Sequence, residues 1–293
     1  PPIYDGLMYE LFDILSERPG SIVCVHTENI EVVWSIKKRL QESGRDDLKA
    51  WHEARPPFVE AQAAASAMSF AKETGASAYI VHTSTEATLK EIRSFRQQGG
   101  KIFAETCPHY LTHTYDSDVG MFGKQNPPLR SPEDVEAMWD AIEDGTIDTI
   151  GSDHAPRLGD KKKGSVWDAS PGQPNMPVIL PVLLSEGYNK RNISLERIAE
   201  ISSANPARIF GLWPQKGSLS IGSDADLVMV DLNLEKTITA KGLKGRADYS
   251  IYENQKMKGW PVLTMIRGKQ VARDGKLLAE PGSGKFIHRN IGI

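Results

Sequence analysis

The stretch ASAYIVHTS, residues 76–84, decides the fold. Its centre, residues 78–81, is an unbroken apolar run, too short for a helix, that stops at His82. Before it, FVEAQAAASAMSFAKETG sets Phe58, Ala61, Ala65 and Met68 at helical spacing, and Gly75 supplies the stop. After it, TEATLKEIRSFRQQGG reads as a second helix. An apolar strand between two helices is the unit of a parallel sheet, because parallel neighbours need a crossover and the crossover helices cover the faces.

Working outward, the pattern repeats. SIVCVHTEN (21–29) reads as a buried strand followed by a helix near IEVVWSIKKRL, and KIFAETCP (101–108) is a third strand. SPEDVEAMWDAIEDG is a helix with Ser131 at the N-cap, Pro132 in the first turn and Asp134 completing a capping box. IDTIGSDHAP (147–156) is the fourth strand, ending in glycine, then an acid beside a histidine, then proline. From Lys216 the texture changes to short β-rich runs, KGSLSIGSDADLVMVDLN and PVLTMIRGKQVARDGKLL, broken by Gly-Ser and Asp-Gly turns. The expected boundary divides residues 1–215, an α/β unit, from residues 216–293, a small antiparallel unit with the C-terminal tail.

The bulk numbers exclude several classes. The chain has 293 residues, 40% hydrophobic and 25% charged, with a net charge of −3, which gives no reason to expect nucleic-acid or membrane partners. Cys24 and Cys107 are the two cysteines; they favour reduced thiols and a cytoplasmic setting over a disulfide framework. No run approaches the ~20 apolar residues a membrane helix needs.

The expected strand ends carry chemistry. The first strand ends at His26, the second at His82 and the fourth at Asp153. Functional groups of a parallel sheet gather at the carboxyl ends of its strands, so these three can converge although far apart in sequence. Two imidazoles and a carboxylate suit a zinc-type divalent metal, which lowers the pKa of a bound water toward ~7. An aspartate at that water can take its proton and pass it to a leaving nitrogen. A lone histidine at a strand end is more often structural; three groups at equivalent ends favour the metal reading. His52 and His288 read as residues in polar surroundings. His109 and His113 lack the glutamate of a zinc-protease pattern, and His154 reads as a support for the loop.

VHTEN, EARPPFVEAQA, YIVHTS, AETCPHYL, NPPLRSPEDVEAMWDAI, GSDHAP, NPARIFGLWPQKGSLSIGSDADLV and GKFIHR together resemble the cyclic amidohydrolases: hydantoinase/dihydropyrimidinase, dihydroorotase and allantoinase. The resemblance runs from about residue 3 to the C-terminus. It implies a (β/α)8 TIM barrel of the metal-dependent hydrolase type with a β-sandwich portion. It also implies two Zn2+ ions bridged by hydroxide and by a carboxylated lysine. His26 and His82 would bind the more exposed metal. Asp153 would bind the other and act as general base, then acid, while metal-activated hydroxide attacks a ring carbonyl. Main-chain groups around Asn126 and Gly172 would hold the ring amide or imide, and Arg130 reads as structural.

Two departures accompany the resemblance. The family's first strand carries His-x-His, which is absent here, and residues 1–25 contain no lysine to serve as the bridge. The chain begins PPIYDGL, without Met. These features lead to the expectation of a C-terminal part of a longer protein, holding only the second half of the barrel and incomplete as an enzyme by itself. The tail RADYSIYENQKMKGWPV favours a hydantoinase-like cyclic amide substrate, and Arg157, where dihydroorotases carry histidine, disfavours orotate chemistry. Dihydroorotase or allantoinase activity, and a non-catalytic dihydropyrimidinase-like scaffold, are the alternatives; a homo-oligomer, dimer or tetramer, is implied.

Overall fold

The structure, a computed structural model, describes residues 3–289. Among them β1 (Ile22–Val25), β2 (Ser77–Ile80), β3 (Ile102–Thr106) and β4 (Thr149–Ile150) form a parallel sheet in that order. Val25 pairs with Ile80, Ile80 with Ala104, and Thr106 with Ile150, so all four strands finish at one rim. The crossovers are helical: α2 (Ile30–Glu42), α3 (Leu48–Glu53) and α4 (Pro57–Thr74) after β1, α5 (Glu86–Gln97) after β2, and α6 (Pro132–Glu143) after β3.

Local chemistry sets the helix ends. The Asn29, Asp47 and Thr85 side chains accept main-chain N–H bonds at the starts of α2, α3 and α5, and Ser131 with Asp134 forms the expected capping box of α6. Gly75 ends α4 in the left-handed conformation, at φ 75°. The buried face of α4 is rotated from the expected stripe: Ala64, Ala67, Met68 and Ala71 are enclosed, whereas Phe58 is 56% exposed. Alanines at the contact let α4 approach both the sheet and α5 closely. A helix outside the sequence expectation, α1 (Asp5–Ser16), packs on α4 and buries Phe12 while Leu7, Leu11 and Ile14 stay exposed.

One face of the sheet builds the core. Val23, Val25, Ala78, Ile80, Ile102 and Ala104 are buried together with Leu89 and Ile92 of α5 and Met138 and Ile142 of α6. The opposite face carries Cys24, Tyr79, Glu105 and Thr149. Tyr79 and Thr149 are buried there, but the expectation of a buried first strand fails in part: Cys24 is exposed, because β1 is an edge strand. Both cysteines are free thiols.

The antiparallel sheet lies wholly beyond Lys216, with β5 (Leu227–Thr237), β6 (Lys256–Ile266), β7 (Lys269–Arg273) and β8 (Lys276–Leu277) in sequential order. Arg267–Gly268 and Asp274–Gly275 both have positive φ, the turn geometry that matches strand twist. Ile238, Tyr252 and Met257, in and beside the second sheet, join the same buried cluster as α5 and α6. No helix among the described residues is long and apolar enough to cross a membrane.

His113 sits in this shared region, buried, with Nε2 3.1 Å from the Ile251 carbonyl and Nδ1 2.8 Å from the Thr112 hydroxyl. Burial pushes its pKa down to about 4. The unfolded chain therefore takes up a proton here below about pH 6.5 that the folded chain refuses until about pH 4. We expect the urea midpoint to fall as pH drops through that window, and His113→Gln to make the fall shallower.

Candidate metal-binding and catalytic site

His26, His82 and Asp153 follow the strands rather than end them: β1, β2 and β4 stop one, two and three residues earlier. The reason is local geometry, since His82 and Asp153 take φ of 42° and 44°, which no β-ladder accommodates. The turns still hang from one rim. His26 Nδ1 lies 2.9 Å from His82 Nε2, the rings nearly perpendicular. His26 Nε2 lies 3.1 Å from the Glu28 carboxylate. His82 is buried, desolvation pushes its pKa down to about 3, and its Nδ1 has no hydrogen-bond partner. A neutral imidazole is the form that binds a metal.

Asp153 is half-buried; burial raises its pKa and nearby His26 pulls it back. Among the described residues no three His, Cys, Asp or Glu side chains are grouped to hold a metal ion. The structure thus brings the two imidazoles into contact and leaves Asp153 outside that pair. The facing nitrogens of His26 and His82 suit a zinc-type metal, as two donors of a larger set.

Sequence reasoning missed the carboxylates behind the rim. The Glu28 side chain is enclosed, with its other oxygen 3.3 Å from Arg55 Nε. Burial alone would raise its pKa, but the His26 hydrogen bond and the Arg55 and Arg130 cations hold it below the ordinary range. Glu105 lies beneath the site, accepting from the Tyr79 hydroxyl at 2.9 Å and from the His82 N–H at 3.3 Å. Burial pushes its pKa up. The motif AETCPHYL contained Glu105, but its side chain's direction depends on the pleat of β3.

Asn126 and Gly172 lie on two loops tied together. The Gly172 N–H donates to the Lys124 carbonyl at 3.1 Å, and the Gly172 carbonyl accepts from the Tyr249 hydroxyl at 2.8 Å. The Lys124 ammonium donates to the Ala169 carbonyl, and the Lys162 ammonium to the Lys124 carbonyl at 2.8 Å. Burial pushes these amines down to about 8 and about 7. A buried ammonium held by main-chain carbonyls leaves no mark in the sequence, so the cross-tie is visible only in the structure. The second loop also pairs with the Asp153 turn, the Ala155 N–H donating to the Gln173 carbonyl at 3.0 Å. The Asn126 Oδ1 is buried without a partner.

The remaining histidines are placed as follows. His154 Nδ1 accepts from the Met176 N–H at 3.1 Å, a loop contact. His109 is fully buried against Asn175. His52 lies against Tyr115 with Arg130, Lys49 and Asp116 among the charges around it, and burial pushes its pKa down to about 4. His288 is exposed beside Phe286. Arg130 is 1% exposed and pairs with Glu60 at 2.9 Å, the geometry of a structural residue.

A side chain at Gly151 would overlap the Glu105 carboxyl group. Gly151→Ala is therefore expected to destabilise the chain by about 1–3 kcal/mol, measurable as a lower urea midpoint. An unchanged midpoint would mean Glu105 is not held beneath this turn.

Comparison with known proteins fits this geometry. Residues 1–271 match the Amidohydrolase family, whose members are metal-dependent. The L-hydantoinase of Paenarthrobacter aurescens is 36% identical over 292 residues, 98% of this chain and 64% of its own length. The allantoinase of Rubrobacter xylanophilus is 36% identical over 289 residues, 97% of this chain and 62% of its own. The solved L-hydantoinase (dihydropyrimidinase) from Arthrobacter aurescens superposes with a TM-score of 0.96 at 35% identity, covering 99% of this chain and 65% of that one. The D-hydantoinase (dihydropyrimidinase) from Thermus sp. gives 0.93 at 31%, covering 98% and 64%. The chain therefore spans less than two thirds of the length of these relatives. Its fold is the α/β fold of the hydantoinase structures, of the amidohydrolase TIM-barrel type, with a separate β-sheet, and the chain belongs to the amidohydrolase family.

Proposed function

We propose that this chain forms the C-terminal part of a hydantoinase-like cyclic amidohydrolase, which hydrolyses a ring C–N bond. The observation that carries the reading is the contact between His26 Nδ1 and His82 Nε2, 2.9 Å apart at the rim of a parallel sheet. His26 and His82 would hold one Zn2+, and Asp153 would serve a second. The remaining donors, including a carboxylated lysine bridge, would come from outside this chain. A bound zinc would supply a water that ionises near neutral pH.

The chain's own residues do the rest. Asp153, on a turn tied to the 172–175 loop, takes a proton from water and returns it to the leaving ring nitrogen. Asn126 and Gly172 orient the ring through main-chain groups; the Gly172 carbonyl, bonded to Tyr249, retains a second lone pair for a ring N–H. The four strands represent half of a closed barrel, a reading supported by the two open sheet edges, at β1 and β4. Allantoinase is the second reading, favoured by the Rubrobacter relative at the same identity. A scaffold without catalysis has no need for His26, His82 and Asp153 together. The two free cysteines support a cytoplasmic setting, and a homo-oligomer accompanies this reading.

The test uses the whole protein that carries this chain, assayed with a 5-substituted hydantoin, dihydrouracil and allantoin. Asp153→Asn is expected to lower kcat by about 100-fold or more with little change in KM; near-normal turnover removes the proton-transfer role. His82→Ala is expected to strip zinc and activity together, and unchanged zinc content removes the ligand assignment.

A further inference from the structure

Glu28 stands out among the carboxylates near the rim because its side chain is 4% exposed while that of the histidine it faces is 47% exposed. A buried carboxylate needs a fixed set of partners. Its Oε2 is 3.1 Å from His26 Nε2, and its Oε1 is at ion-pair distance, 3.3 Å, from Arg55 Nε. Arg55 is held in turn: its guanidinium lies 3.7 Å over the Trp51 ring, and its carbonyl accepts from Arg130. Arg130 is paired with Glu60. The next residue, Asn29, caps α2 and donates its own N–H to the Val59 carbonyl at 3.2 Å. The Glu28 carboxylate is therefore fixed from both sides of the turn, independently of His26.

The two imidazoles differ in this respect. His26 has a carboxylate at one nitrogen and His82 at the other. His82 Nδ1 has no partner. A carboxylate accepts only, so the proton of neutral His26 belongs on Nε2, and Nδ1 presents a lone pair to His82. With no metal present, His82 must then donate from Nε2, leaving its Nδ1 bare.

We propose that Glu28 is a positioning residue that locks His26 in the Nε2–H tautomer, so that His26 Nδ1 is a ready metal donor while His82 must change tautomer to become one. When a divalent cation enters, His82 loses its Nε2 proton to solvent and gains one at Nδ1, remaining neutral; His26 does not change. This rests on the reading of His26 and His82 as metal ligands. It adds an order to the site, a preset imidazole and a switching one.

The experiment is a Zn2+ titration, at pH 8, of the metal-free whole protein that carries this chain, read by histidine-selective 15N spectra that distinguish Nδ1 from Nε2. The metal-free chain should show His26 protonated at Nε2 and His82 at Nε2. On zinc addition the His26 Nδ1 and His82 Nε2 resonances should both move, and His82 Nδ1 should become protonated. Glu28→Gln keeps the shape and removes the charge; it should lower zinc affinity about 10- to 100-fold and mix the His26 tautomers. Wild-type His26 protonated at Nδ1, or a Glu28→Gln chain binding zinc as tightly as wild type, overturns the role of Glu28 and leaves the ligand reading standing. Zinc that moves neither imidazole, or binds equally well to His26→Ala, overturns both.

Discussion

The parallel register of the first sheet is the constraint on which the site depends. Val25, Ile80 and Ala104 are paired in phase across three strands, and β4 ends two residues further along, with Ile150 opposite Thr106. The residues that follow therefore leave the sheet at the same rim, although 56 positions separate His26 from His82. A register slip of one residue would turn every side chain to the opposite face. Val25, Ile80 and Ala104 would then leave the core, and the packing of α4 and α5 against them would be lost. Burial of the apolar face thus fixes the register, and the register brings the imidazoles together.

A second layer of control is ionic. Glu60 accepts from the Ser84 N–H at 2.9 Å and pairs with Arg130 at 2.9 Å, both side chains only 1% exposed. Arg130 also donates to Ser84 and to the Arg55 carbonyl. The network joins the start of α4, the turn after β2 and the NPPLR loop that carries Asn126. Buried ion pairs seldom add net stability, whereas loss of one partner typically costs about 3–5 kcal/mol. Their value here is geometric: the segments that carry His82, Asn126 and Glu28 cannot shift separately.

Much of this was legible in the sequence, for identifiable reasons. Helix termini were readable because caps are local: Ser131, Asp134 and Gly75 act within a turn of where they stand. His26 and His82 were readable because each directly follows an apolar run. Other features depended on what packs from far away. Helix α1 has apolar residues on several sides and no clean stripe, so its periodicity carried little information. Nothing in the spacing of Glu28 and Glu105 marks them; the Arg55 contact and the pleat of β3 turn them inward. Lys124 and Lys162 were hidden in the same way, since a buried ammonium satisfied by main-chain carbonyls leaves no residue pattern. The φ of 44° at Asp153 is likewise a local feature that no spacing argument reaches.

That dihedral bears on function. His82 and Asp153 both occupy the left-handed region, at φ 42° and 44°, where a β-carbon crowds the backbone at a cost of roughly 1–2 kcal/mol. Glycine or asparagine would fit there with less strain. The conformations persist because the surroundings hold them: the Thr83 N–H donates to the Glu105 carbonyl at 2.7 Å, the Gly151 N–H to the Thr106 carbonyl at 2.8 Å, and the His154 N–H to the Ser152 hydroxyl at 3.2 Å. Strain of this kind, at two residues on one rim, is better explained by what the side chains do than by what they contribute to stability. In an extended conformation His82 would project its imidazole along the pleat of β2, to one face of the sheet. The left-handed turn instead brings Nε2 to His26, and the same kind of turn sets Asp153 beside the loop that carries Gly172. The sequence retains an imidazole and a carboxylate where a smaller residue would be easier to accommodate, which is the pattern expected when chemistry, rather than folding, selects the residue.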